Sequence, residues 1–89
     1  MTEYETRGVE IRGLAKSLVL HFMQATPVCQ PGKEGMKLAQ LFRSCGFDWG
    51  EYKNATSSNQ QYWVVAIVRE LEAEGKVERV FESGPWRLL

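Results

Sequence analysis

The feature that most constrains this chain is the order of signals between Thr56 and Leu89. A polar cluster, Thr56-Ser57-Ser58-Asn59-Gln60-Gln61, opens onto the apolar-periodic run Tyr62 to Leu71, and Gly75 follows. Short polar side chains satisfy the free amides at a helix start, and glycine adopts the left-handed conformation that ends one. Two short strand-like runs, 76–82 and 85–89, come next, parted by Ser83-Gly84-Pro85, which is hairpin punctuation. A helix running directly into a hairpin calls for an α+β fold. The alternative is a helical bundle to which the last residues merely add a hairpin.

On a helical wheel the third helix, expected over 57–74, gathers Trp63, Val64, Ile67 and Leu71, with Val68 at the margin. Ser58, Tyr62, Val65, Ala66 and Arg69 fall on the far side. Upstream, Ile11, Leu14, Ala15, Leu18 and Phe22 recur at helical spacing, joined by Val19 and Met23, while Arg12, Lys16 and Gln24 lie away from the stripe. That predicts a first helix over 10–25, ended by Thr26-Pro27. Pro31-Gly32 marks a loop, and a second helix is expected over 34–45 with Leu38, Ala39, Phe42 and Cys45 on one side and Gly46 as its stop. The aromatic connector 47–54 is expected to pack onto the core, the alternative being a partner-facing patch. Residues 1–9 show no periodicity and are expected to be a flexible segment or a short edge strand, leaving 10–89 as a single domain.

Several function classes drop out. With 89 residues there is length for one domain. No apolar run approaches the roughly 18 residues of a membrane span, and the start of the chain is acidic with no apolar secretory core. A cytoplasmic protein with no membrane partner is expected. Cys29 and Cys45 make no disulfide framework and read as free thiols, Cys45 in the core; with the lone His21 they are too scattered for zinc. His21 has no nucleophile motif near it, Pro31-Gly32-Lys33-Glu34-Gly35 lacks phosphate-loop spacing, and the carboxylates are dispersed. No enzyme, cofactor or small-molecule ligand is expected.

The net charge is zero but unevenly spread. Residues 1–10 hold three acids against Arg7, a balance of −2. Residues 11–45 hold Arg12, Lys16, Lys33, Lys37 and Arg43 against Glu34, a balance of +4. The remainder carries seven acids and five bases, again −2. Glu70, Glu72 and Glu74 crowd the end of the third helix, and Glu82 near the hairpin tip repels phosphate. A positive surface must therefore come from the first two helices.

Met36-Lys-Leu-Ala-Gln-Leu-Phe, Ser57-Ser-Asn-Gln-Gln-Tyr-Trp, Leu71-Glu-Ala-Glu-Gly-Lys-Val-Glu-Arg-Val and Gly84-Pro-Trp-Arg-Leu follow one another in an order that resembles the winged helix-turn-helix superfamily over residues 10–89. The resemblance is to a fold class and not to one family. It implies a winged-helix-like three-helix bundle with a small C-terminal antiparallel β-hairpin, and a regulatory protein that binds double-stranded DNA with its third helix in the major groove. On that reading Ser57, Ser58, Asn59, Gln61 and Tyr62 face base edges, and Arg69 reaches phosphate or guanine. Lys37, Gln40, Arg43 and Lys53 contact the backbone. The rival is a protein-interaction module on the same scaffold, using Val65 and Ala66 beside Tyr62, or a homodimer through the first helix. In both readings the polar residues at the start of the third helix also serve as cap and solvated face.

Overall fold

The computed structural model describes residues 1–47, 61–82 and 84–89, with the side chains of 61–64 outside the description. Helix α1 (Glu3–Gln24) leads through a 3-10 turn (Pro27–Cys29) to α2 (Leu38–Ser44). The described part of α3 covers Gln61–Ala73, and the hairpin strands β1 (Val77–Arg79) and β2 (Trp86–Leu88) close the chain. Among the described residues, three α-helices and a two-stranded antiparallel hairpin make an α+β fold.

The first helix starts well before residue 10. Thr2 caps it: its hydroxyl accepts from the Glu5 amide at 3.1 Å, and the Glu5 carboxylate accepts from the Thr2 amide at 2.8 Å. This reciprocal pair, Thr-x-x-Glu, is a capping box and is written in residues 2–5. Its two bonds satisfy amides that would otherwise be free, so helix replaces the flexible segment or edge strand expected over 1–9. The Thr2 backbone bond also holds the Glu5 carboxyl below its ordinary pKa. At the other end Gln30 folds back, its side-chain amide donating to the carbonyls of Met23, Gln24 and Thr26.

The buried face of α1 is also rotated from the expected stripe. Ala15, Val19 and Met23 are buried, whereas Ile11, Leu14 and Leu18 are exposed. Helix α1 is apolar around much of its circumference, so periodicity alone does not choose the face. Arg12 and Lys16, beside that buried face, pair with Glu70 of α3 and with Glu74 just after it.

Residues 34–37 are not the first turn of α2. Gly35 has φ +80°, and Met36 exchanges two backbone bonds of 2.8 Å with Trp86. β2 is thus paired on both sides, with β1 through the register Val77↔Leu88, Glu78↔Arg87 and Arg79↔Trp86, and with Met36 through an isolated bridge. A Cβ on Gly35 would stand 2.7 Å from the Trp86 carbonyl oxygen, so only glycine lets the chain approach so closely.

Helices α2 and α3 end alike. Gly46 (φ +72°) and Gly75 (φ +76°) each follow the last turn. The paired bonds Gly46 N–H to Arg43 and Phe47 N–H to Phe42, then Gly75 N–H to Glu72 and Lys76 N–H to Leu71, are Schellman closures. Phe47 packs on Phe42, the apolar contact that accompanies such an ending. The core joins Val19 and Met23 of α1, Cys29, Leu41, Ile67, Val68 and Leu71 of α3, Val77, and Trp86 at its largest. Val68 is a full core residue and not marginal. Cys29 is the buried thiol and Cys45 is half-buried, the reverse emphasis from the sequence expectation; burial pushes both thiols up. The expected core role of Trp63 and Val64 falls on side chains outside the described residues, as does the connector beyond Phe47.

Candidate nucleic-acid interface

Helix α2 is short, and its pattern splits cleanly. Leu41 and Phe42 are buried, Leu38 and Ala39 half-buried, and Lys37, Gln40 and Arg43 are exposed. Leu41 and Phe42 anchor the helix, so Lys37 at its N-cap, Gln40 one turn on and Arg43 in its last turn remain on the solvent side. Among the described residues no ion pair engages Lys37, Arg43 or the nearby exposed Lys33. Three exposed cations in and before one short helix have no carboxylate partner among the described residues, an arrangement that attracts anions.

Several other described cations are committed elsewhere. Arg12 lies 3.2 Å from Glu70, and Lys16 reaches both Glu70 (3.6 Å) and Glu74. Lys76 adds a contact of 3.5 Å to Glu74. The bond to Lys16 holds the Glu74 carboxyl below its usual range, and the same bond raises the Lys16 amine. Two of the three carboxylates at the end of α3 are therefore turned toward α1 and neutralised there.

Arg69 is exposed, yet it is not free. Its guanidinium donates to Glu72 at 3.0 Å and lies 5.6 Å from the centre of the Trp86 ring. Arg79 covers the same indole at 5.1 Å and also donates to the Glu82 carbonyl. Arg87 joins Glu78 across the hairpin at 2.7 Å and donates to the Lys33 carbonyl at 2.7 Å. The hairpin's arginines thus stitch its own strands and neighbours, and its tip presents exposed Phe81 and Glu82.

Of the ten residues expected to contact DNA, the structure brings Lys37, Gln40 and Arg43 onto α2 and puts Arg69 on α3 beside the hairpin. Gln61 and Tyr62 lie in the described start of α3, with side chains outside the description; Lys53, Ser57, Ser58 and Asn59 lie outside the described residues. Lys33, which Pro31-Gly32 marks only as loop, is exposed and precedes α2, its carbonyl held by Arg87. The rival contact patch is altered too: Val65 is half-buried against Phe42, leaving Ala66 exposed. No helix among the described residues is long and apolar enough to cross a membrane. No protein-family model, curated protein or solved structure matches the chain.

Proposed function

We propose that this is a winged-helix DNA-binding protein that grips the duplex backbone with α2 and offers the start of α3 to the bases. The observation that carries the reading is the division of charge: Glu70 and Glu74 at the end of α3 pair with Arg12 and Lys16, while Lys33, Lys37 and Arg43 have no ion-pair partner among the described residues. Order of elements supports it as well. A helix, an extended residue bridged to the last strand, two helices and a hairpin follow the winged-helix plan. The hairpin is not part of the grip, because its arginines are internally bonded and its tip carries Glu82.

Binding to a mixed-sequence duplex, followed by fluorescence anisotropy over a salt series, tests the proposal. Neutralising three phosphates gives a slope of log K against log salt of about −2.7, since each contributes about −0.9. Affinity for duplex that does not change with salt, or no binding at low ionic strength and high protein concentration, overturns it.

A further inference from the structure

The loop between the 3-10 turn and α2 carries Lys33, and the hairpin holds that loop in place. Gly32 and Gly35, at φ +79° and +80°, turn the chain on either side of Lys33-Glu34. The Lys33 and Glu34 side chains are adjacent, exposed and opposite in charge. Together they offer no net charge, so what the loop presents to an anion depends on how its backbone is oriented.

Consecutive residues of β2 fix that orientation. The Trp86 backbone exchanges two bonds of 2.8 Å with Met36, at the loop's far end. The Arg87 guanidinium donates through Nη1 to the Lys33 carbonyl at 2.7 Å. Glu78, the cross-strand partner of Arg87, accepts from Nε at 2.7 Å and so aims the guanidinium. Bonds from an ionised donor are among the stronger ones, which suits this one to restraining a loop. On the other side, the Lys33 N–H donates to the Gln30 carbonyl at 3.1 Å, and the Gln30 side chain is tied to the end of α1. Both backbone polar groups of Lys33 are therefore held while its amine stays at the surface. We infer that Arg87 is a positioning residue: it holds the Lys33 backbone so that the Lys33 amine, and not the Glu34 carboxylate, faces a phosphate of the duplex. The inference rests on the DNA reading and gives the hairpin a part in it, as a brace behind the grip and outside the contact.

Salt-series anisotropy on a mixed-sequence duplex tests it, with circular dichroism and melting to confirm that each variant is folded. Lys33→Ala is expected to shorten the salt slope by about 0.9, the share of one phosphate. Arg87→Gln keeps Lys33, yet it is expected to shorten the slope by the same amount and to weaken binding about three- to tenfold. The double variant is expected to match either single one, whereas two separate phosphate contacts would add to about 1.8. Glu78→Ala supplies a test of sign. It removes an acid and releases Arg87, so direct contact by Arg87 would tighten binding, while loss of its aim weakens it. Without DNA, amide exchange at Lys33 and Gly35 is expected to quicken in Arg87→Gln. A wild-type slope in Lys33→Ala or Arg87→Gln, additive slopes in the double variant, tighter binding by Glu78→Ala, or unchanged exchange overturns the inference and leaves the DNA reading standing. Absence of salt-dependent binding by the wild type overturns both.

Discussion

Trp86 and Gly35 show how much of this fold rests on single residues. The Trp86 ring is buried to 1%, roofed by Arg69 and Arg79, and its backbone bonds Met36 on one side while its strand bonds β1 on the other. Trp86→Ala is expected to cost about 3–5 kcal/mol in urea unfolding, most of the stability of a small domain. A loss below about 1 kcal/mol would contradict its place at the centre of the core. Gly35 and Gly75 offer a sharper comparison, since both have φ near +80° but different surroundings. Alanine at Gly75 meets nothing within 4 Å and suffers only the left-handed backbone, about 1–2 kcal/mol. Alanine at Gly35 suffers that and also a contact with the Trp86 carbonyl, so it should be the more damaging of the two by thermal melting. Equal losses would mean that the Met36 bridge yields without cost.

Between elements, the decisive contact is the ionic clamp joining α1 to α3. Glu74 has its carboxyl pKa lowered, chiefly by the hydrogen bond to Lys16, so its stabilising effect is present above the ordinary carboxylate value and is lost as pH falls through the lowered one. Lys16 has its pKa raised by the same bond, so its contribution is full below the ordinary lysine value and is lost as pH rises through the raised one. The clamp should hold across the neutral range and release at both extremes. Melting temperature against pH is therefore expected to fall off less steeply on the acid side for Glu74→Gln, and on the alkaline side for Lys16→Met, than for wild type. Unchanged limbs in both variants would show that the pair is too solvated to matter.

Considered as a whole, the molecule sorts its charge by face. Cations of α1 pair with Glu70 and Glu74, arginines of the hairpin brace β1 and β2, and the cations around α2 have no ion-pair partner among the described residues. On the proposed DNA reading, Lys37→Ala and Arg43→Ala should each weaken duplex binding uniformly across sequences and shorten the salt slope by about 0.9. Glu72→Ala, which frees Arg69, should leave binding unchanged or strengthen it. Competition anisotropy on folded variants separates these outcomes, and wild-type affinity in both lysine and arginine variants would remove α2 from the interface.

The local signals were legible without coordinates. Gly46 and Gly75 end helices because their lack of a Cβ admits positive φ, Thr26-Pro27 closes α1 because proline cannot continue it, and residues 76–89 form a hairpin because strand formers flank a turn. The capping box at Thr2 and Glu5 was equally local and equally readable, though the absence of apolar periodicity around it pointed the other way. What tertiary structure alone decided were the relations between segments. Which side of α1 is buried depends on the apolar residues it meets far along the chain, Ile67, Val68, Leu71 and Trp86. The extended path of Gly35 and Met36 depends on an open strand edge at Trp86, and the commitment of Arg69 depends on Glu72 and that same indole. Local backbone chemistry chooses the elements; long-range apolar packing and the pairing of strand edges choose their faces, and with them the surfaces left for a partner.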